Sequence, residues 1–371
     1  MAKHISYGII GCGMMGQEHL RNIALLPDVG VAAIFEPDAM MRARAADLAP
    51  QASLAGSVAE VAADPRVDCL LIASPNYVHF AQLREVAAIR ALPILVEKPL
   101  FTDPVDAAAV KAFAATYTAP VWVAMEYRYM PPVARFIEQA QNATGGIRML
   151  TIREHRYPFL DKVAHWNRFN RRSGGTFVEK CCHFFDLMRL ILKSEPVRIM
   201  ASAGQEVNHL DENYDGETPD IWDCGYVLVD FANGARAMLE LCMYAEGSRY
   251  QEEISAVGAR GKVECLVPGP GRFWPAHLGA APTPQLIVSP RFPQGPYTVE
   301  IPVDPQLLTA GDHNGSTFYQ HQRFCAALRG EGRVEVTLDD GWKAVAMGMA
   351  AQLSSKQGAV ISNPLDAALT C

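Results

Sequence analysis

Two stretches hold residue types whose spacing suits proton transfer. Glu97-Lys98-Pro99 follows the apolar run Ile94-Leu-Val96, and Gly174-Gly175-Thr-Phe-Val-Glu179-Lys-Cys-Cys-His183-Phe-Phe-Asp186 continues apolar to Ile191. A lysine in a partly desolvated cleft donates to a substrate oxygen, and burial lowers its pKa toward useful proton transfer. Glu97 is placed to balance that charge, and a cis Lys98–Pro99 peptide is open to the chain at this point. In the second stretch, helical spacing sets Glu179 and His183 four apart on one face, with Asp186 three further on. An imidazole of near-neutral pKa is the usual acceptor of an alcohol proton, and a carboxylate beside it orients it or balances its charge. The structural alternative is a buried histidine and aspartate that satisfy each other. Cys181-Cys182-His183 does not read as a zinc site, because adjacent helical residues diverge by about 100° and no second cluster stands at finger-like spacing.

A third constellation suits a dinucleotide. Gly11-Cys-Gly13-Met14-Met15-Gly16 lies between a buried-strand pattern and a helix pattern. The glycines allow a tight turn, backbone approach to a pyrophosphate and close helix–strand packing, while free helix N–H groups face the phosphates. Glu36 ends the next strand, 20 residues after Gly16. A carboxylate there accepts both ribose hydroxyls of NAD and repels the 2′-phosphate of NADP. Ser74-Pro75-Asn76 ends a further strand at the ligand edge; Asn76 is also a candidate cap for the helix from Tyr77, and His79 reads as a packed side chain.

The elements that must position these groups follow from periodicity. Through residue 125, continuous apolar runs at 5–10, 29–35, 69–72, 93–96 and 121–125 alternate with helix patterns, one of them opening after the cap candidate Asp38. That texture predicts a parallel sheet covered on both faces. Beyond it, period-two alternation at 147–156, 221–231, 235–243 and 251–257 predicts a mostly antiparallel sheet, with Asn233-Gly234 as a hairpin turn. The stretch 268–296 reads as an irregular surface excursion; helices resume near 317–328 and 340–352, and a short strand at 359–361 ends the fold. The expected architecture is α/β: a Rossmann domain over 1–125 and an α+β domain with a large open sheet over 126–371. The final helices are free to pack back on the first domain.

Composition sets the wider frame. The 371 residues are about 2.5 times the usual domain length, which predicts two domains. Apolar residues make up 50% and charged residues 20%, enough for a core, and the net charge of −7 gives no general reason to expect nucleic acid or an anionic membrane. Nine cysteines without a CxxC pair read as reduced thiols in the cytoplasm. No apolar run reaches the roughly 18 residues that span a bilayer, and the N-terminus does not read as a signal peptide.

Taken together, the Gly11–Gly16 turn, Ser74-Pro75-Asn76 with His79, Glu97-Lys98-Pro99, Tyr127-Arg128-Tyr129 and the Gly174–Asp186 stretch resemble the glucose–fructose oxidoreductase / inositol dehydrogenase (Gfo/Idh/MocA) family over essentially the whole chain. The resemblance implies hydride exchange between NAD and a carbinol carbon of a sugar, cyclitol or related ketone, in a homodimer or homotetramer built on the second sheet. It implies Lys98 as substrate-hydroxyl ligand and proton relay, His183 as general acid/base and Glu179 as the third catalytic residue. Glu179 stands where aspartate is common, and Cys181 where glycine is. The implied cofactor set is Gly11, Gly13, Met14, Met15, Gly16, Glu36, Ser74, Pro75, Asn76, His79, Glu97 and Lys98. The candidate substrate set is Lys98, Tyr127, Arg156, Tyr157, Trp166, Asn167, Glu179, His183 and His313, the last in the loop Gly311-Asp-His313-Asn-Gly315; Arg128 reads as a scaffold position near the domain junction. Six arginines between Arg148 and Arg172 form a local positive region, read either as a pocket for a substrate anion or as a solvated face. Two other functions fit the same scaffold: a glycosidase or lyase that oxidises a carbinol transiently, and a non-catalytic NAD-binding sensor.

Overall fold

The computed structural model describes residues 3–292 and 295–367. Its first sheet is formed by β1 (Ile5–Ile10), β2 (Val29–Phe35), β3 (Ser53–Leu54), β4 (Cys69–Ile72), β5 (Ile94–Val96) and β6 (Val121–Val123), ordered β3-β2-β1-β4-β5-β6. Every pairing is parallel. The helices between them are α1 (Met14–Ile23), α2 (Ala39–Leu48), α3 (Val58–Ala63), α4 (His79–Ile89) and α5 (Ala107–Thr116). All residues of β4, β5 and β6 are buried, as continuous apolar strands between two helix layers must be. Asp38 caps α2 by accepting the Met41 N–H at 2.9 Å. The short β3 and α3 carry too few residues for a periodic signal and were not anticipated.

Crossing to the second sheet, α6 (Pro131–Thr144) leads into β7 (Ile147–His155). Then come α7 (Asn170–Ser173), α8 (Thr176–Glu179), α9 (Cys182–Leu192), β8 (Pro196–Gly204), β9 (Cys224–Phe231), β10 (Arg236–Cys242), β11 (Glu252–Gly258), β12 (Gly261–Val267), β13 (Gln285–Pro290) and β14 (Tyr297–Glu300). The chain closes with α10 (Pro305–Ala310), α11 (Ser316–Leu328), α12 (Leu338–Gln357), β15 (Ile361–Ser362) and α13 (Pro364–Ala367). The sheet runs β14-β13-β12-β11-β7-β10-β9-β8-β15, antiparallel except for the parallel β7–β10 pair. On β9, Val227, Val229 and Phe231 turn inward while Tyr226 and Leu228 face out. Gly234, at φ +82°, makes the hairpin turn to β10.

Three expectations are corrected. The Gly174–Ile191 stretch is not one helix: the Cys181 N–H reaches back to Thr176 O at 3.4 Å, a five-residue span that widens the turn, and α9 restarts at Cys182. The 268–296 excursion holds strand β13 and is followed directly by β14, the latter at the sheet edge and the former beside it; their Pro-rich flanks hid them. Asn76 opens a 3-10 turn, Asn76–Val78, and caps no helix.

Two apolar cores form, one under each sheet, and α12 enters both: Trp342 and Val345 pack in the first, Met347 and Ala351 in the second. Gly348 makes this possible, since a Cβ there would lie 2.5 Å from Phe177 O. The eight cysteines among the described residues are free thiols; Cys371 lies outside those residues.

Candidate active site

The glycine turn is dictated by close approach. Gly11 has φ +88°, and a Cβ on it would strike Ser74 Cα at 2.5 Å, so the ends of β1 and β4 touch through this residue. A Cβ on Gly16 would meet Gly11 O at 2.4 Å, while the space beside Gly13 is open. α1 starts at Met14 with no side-chain cap, so its first N–H groups face outward from the turn. Glu36 is buried at the far side; it accepts the Cys12 N–H at 2.5 Å and the Asp38 N–H at 2.9 Å. An open cradle at Gly13, uncapped helix N–H groups and a carboxylate at the end of β2 are the three features a dinucleotide needs, and they fit NAD.

Beside this turn opens a cleft of about 750 Å³. Met14, Met15, Lys98, Arg156, Tyr157, Glu179, His183 and His313 of the candidate residues line it. The Lys98 ammonium donates to the Glu179 carbonyl oxygen at 3.1 Å. Glu97 balances it through space without a side-chain hydrogen bond to the ammonium: its Oε1 lies 2.9 Å from His19 Nε2, and its Oε2 accepts the Lys98 backbone N–H at 3.2 Å. Burial pulls the Lys98 pKa down, but Cys182 and the carboxylates of Glu179, Glu97 and Glu126 raise it by more. The net shift is upward, opposite to the expectation from burial alone.

His183 is buried and lies flat on Tyr127, ring centroids 4.2 Å apart and planes 11° from parallel. Its Nδ1 has no hydrogen-bond partner. Burial first, then the charges of Lys98, Lys180, His313 and Arg156, push its pKa well below the ordinary 6.5. Neither neighbouring carboxylate orients it. Asp186 is bound by the Arg128 guanidinium through two short hydrogen bonds. Glu179 accepts from Lys162 Nζ and from Asn76 Nδ2, each at 3.1 Å. The break between α8 and α9 is what separates Glu179 from His183.

Several candidates sit elsewhere. Tyr127 lies one layer behind His183, where its hydroxyl accepts from Lys180 Nζ at 2.6 Å. His79 is fully buried with its ring nitrogens 2.8 Å and 2.9 Å from Pro99 O and Ser74 O, tying two loops of the ligand edge together. The Lys98–Pro99 peptide is cis. Ser74 Oγ donates to Gln82 Oε1 at 2.5 Å. Trp166 packs edge-on to Tyr77 and under the Lys162 ammonium, and Asn167 donates to Leu160 O, so neither lines the cleft. Of the six arginines in the positive segment only Arg156 reaches the cleft; Arg153, Arg168 and Arg171 pair with Glu240, Glu212 and Glu217.

Sequence reasoning missed Glu18, Glu126 and Lys180, and it missed that Pro268, Gly269, Gly271, residues 281–284, Pro302 and Val303 wall the cleft beside the expected His313 loop. Glu18 of α1 binds the His313 loop: it accepts from Thr317 Oγ1 at 2.9 Å and the Asp312 N–H at 3.2 Å, and lies 2.8 Å from His313 Nδ1. That ion pair holds Glu18 down at about 2, although burial alone would raise it, and lifts His313 to about 9 against its own burial. Glu126 had a legible signal: it follows β6 as Lys98 follows β5, at the carboxyl ends of the parallel strands where ligands collect.

Residues 5–125 match the model of an oxidoreductase family described as NAD-binding Rossmann fold, and residues 140–362 match that family's C-terminal alpha/beta domain. The chain belongs to this family. It is the Gfo/Idh/MocA oxidoreductase family, and this member carries its NAD-binding domain. Rhizopine catabolism protein MocA of Rhizobium meliloti is 26% identical over 236 residues, covering 63% of this chain and 70% of that protein. An inositol 2-dehydrogenase of the same organism is 26% identical over 264 residues, 70% of this chain and 74% of that one. Levoglucosan dehydrogenase, solved with NADH and levoglucosan, shares the fold at a TM-score of 0.80 and 19% identity, over 98% of this chain and 100% of that one. An oxidoreductase from Agrobacterium radiobacter, solved with NAD⁺, L-tartaric acid and magnesium, gives 0.78 and 20% over 98% and 99%.

Proposed function

We propose that this family member is an NAD-dependent dehydrogenase acting on a carbinol carbon of a sugar, cyclitol or similar polyol. The observation that carries the reading is the convergence of Lys98 and His183 on one cleft beside the glycine turn. The inositol 2-dehydrogenase among its relatives and the levoglucosan-bound structural neighbour support the substrate class.

NAD, when bound, accepts the hydride. The chain's own residues orient the alcohol and move its proton. Lys98 Nζ, held charged by the surrounding carboxylates, sits beside the carbinol oxygen and stabilises the negative charge that develops there. His183 is neutral at physiological pH and accepts the hydroxyl proton at Nε2, the ring nitrogen that is not sealed against the protein. Glu179 fixes Lys162 and Asn76 around the site and leaves the acid/base step to His183. In the reverse direction the same groups protonate a carbonyl oxygen.

The outer face of the second sheet supports self-association. Leu228 is exposed there and faces Met200 on β8 and Met238 on β10 in register, an apolar row without a covering helix. A homodimer or homotetramer through this face belongs to the reading, and the dilute cysteines, free thiols among the described residues, suit the reducing cytoplasm. No helix of the described residues is long and apolar enough to cross a membrane.

The test is NADH formation by purified protein with excess NAD across inositols, hexoses, anhydrosugars and sugar acids. Turnover of a polyol that Lys98→Ala and His183→Ala both abolish is the expected result. Silence with NAD binding intact overturns a simple dehydrogenase and favours transient oxidation without net NADH.

A further inference from the structure

Glu126 is a buried carboxyl in the cleft that the mechanism above does not use. It is 1% exposed and lines the cleft together with Lys98, His183 and His313. Its Oε2 receives one long hydrogen bond, from Thr317 Oγ1 at 3.4 Å. Its Oε1 has no hydrogen-bond partner. The nearest cationic nitrogen, His313 Nε2, stands 3.8 Å away, beyond hydrogen-bond reach, and that ring is already committed through Nδ1 to Glu18. Lys98 Nζ is likewise turned to the Glu179 carbonyl. A buried carboxyl oxygen left unpaired in a ligand cleft is costly, and a ligand atom that donates to it would complete it.

The surroundings decide what that atom is. An ammonium on the ligand would enter among Lys98, Lys180, Arg156 and His313, all of which line the same cleft. A carboxylate or phosphate at this spot would face Glu126, Glu18 and Asp312. A neutral hydroxyl meets neither objection. It also serves both forms of the carboxyl, donating to the ionised form and accepting from the protonated one. That matters because burial, with Glu97 and Glu18 nearby and opposed by His313 and His19, lifts Glu126 to about 7.

We propose that Glu126 is a substrate-binding residue that grips a second hydroxyl of the polyol, distinct from the one oxidised between Lys98 and His183. This rests on the polyol reading above and deepens it: the enzyme requires at least two hydroxyls, and the second lies toward the β6 edge and the His313 loop. A mono-alcohol, or a polyol lacking that hydroxyl, leaves Oε1 unpaired and binds weakly.

The experiment compares the intact chain with Glu126→Gln and Glu126→Met, the first isosteric and the second apolar, using myo-inositol, levoglucosan and their monodeoxy analogues. In the wild type, one deoxy position raises KM by about tenfold to a hundredfold, the range of one hydrogen bond to a charged group. In Glu126→Met the parent polyol shows that same rise, kcat changes by less than about threefold, and the deoxy analogue shows no further loss; Glu126→Gln, whose amide still bonds a hydroxyl, shows a smaller rise. NAD affinity, read by quenching of protein fluorescence, is unchanged. Equal KM in Glu126→Met and wild type overturns the proposal. So does a fall in NAD affinity with polyol binding intact, which would give Glu126 to the cofactor. If the wild type oxidises neither polyol, the functional reading fails separately, and thermal stabilisation of the NADH-bound chain by the same polyols decides Glu126. Stabilisation lost in Glu126→Met keeps the proposal, and stabilisation that Glu126→Met retains, or that is absent from the wild type, overturns it.

Discussion

The imidazole of His183 is oriented by the ring of Tyr127, stacked at 4.2 Å, and by no carboxylate. The sequence offers Glu179 and Asp186 at helical spacing, yet Lys162 and Asn76 hold the first and Arg128 holds the second. Tyr127 is itself fixed by Lys180, whose ammonium also lies 2.8 Å from Glu154. Removing the ring frees the imidazole to rotate. Tyr127→Leu is expected to lower kcat by roughly tenfold or more with a smaller change in KM, because misorientation costs the chemical step. Tyr127→Phe keeps the stack and is expected to retain most of kcat; steady-state kinetics of the two variants checks this.

The charges around His183 set a pH dependence with a definite sign. A histidine that must be neutral to accept a proton works above its pKa, and this one lies well below 6.5. The acid limb of kcat is therefore expected below pH 6.5, while Lys98, raised above 10.5, gives no alkaline limb before that value. Arg156→Met removes one of the cations that depress His183 and is expected to move the acid limb to higher pH. A pH–rate profile of the variant beside the wild type reads the shift.

The Glu18–His313 pair links stability to pH at both ends. Glu18 has its folded pKa lowered to about 2, so its contribution is present above 4.5 and is lost as pH falls toward 2. His313 has its pKa raised to about 9, so its contribution is complete below 6.5 and is lost as pH rises through 9. Thermal unfolding is expected to show a decline across the upper window that His313→Gln abolishes.

At the cofactor end, Glu36→Ala removes the carboxylate that would accept the ribose hydroxyls. NAD affinity is expected to fall by about tenfold or more, while the preference against NADP narrows because the repulsion of its 2′-phosphate is gone. Binding titrations with both dinucleotides measure the two effects in one experiment.

The apolar row on the open sheet predicts an assembly effect. Leu228→Arg places a charge between Met200 and Met238 and is expected to shift the protein toward smaller species in size-exclusion chromatography with light scattering. A wild-type chain that elutes as a monomer sinks the proposed interface.

What the sequence determined by itself was whatever depends on local order. Continuous apolar runs specified the parallel strands, alternation specified the faces of β9 and β10, and the glycine spacing specified a turn that only one backbone path satisfies. Lys98, His183 and Glu36 were legible because each ends a strand or follows a glycine pair at a ligand edge. The partners of those groups were not legible. Whether Glu179 faces His183 depended on one widened turn at Cys181, and the identity of its partner depended on Lys162, brought in by a loop 17 residues earlier. His19, Glu97 and His321 meet in one buried chain although they are 78 and 302 residues apart in pairs. Glu18 reaches His313 across 295 residues. Hydrogen bonds and ion pairs act over a few ångströms, while spacing along the chain constrains position only within one element. Contacts between elements are therefore decided when α11 and α12 return to the first sheet, and that return brings Glu18 and His313 together beside Glu126.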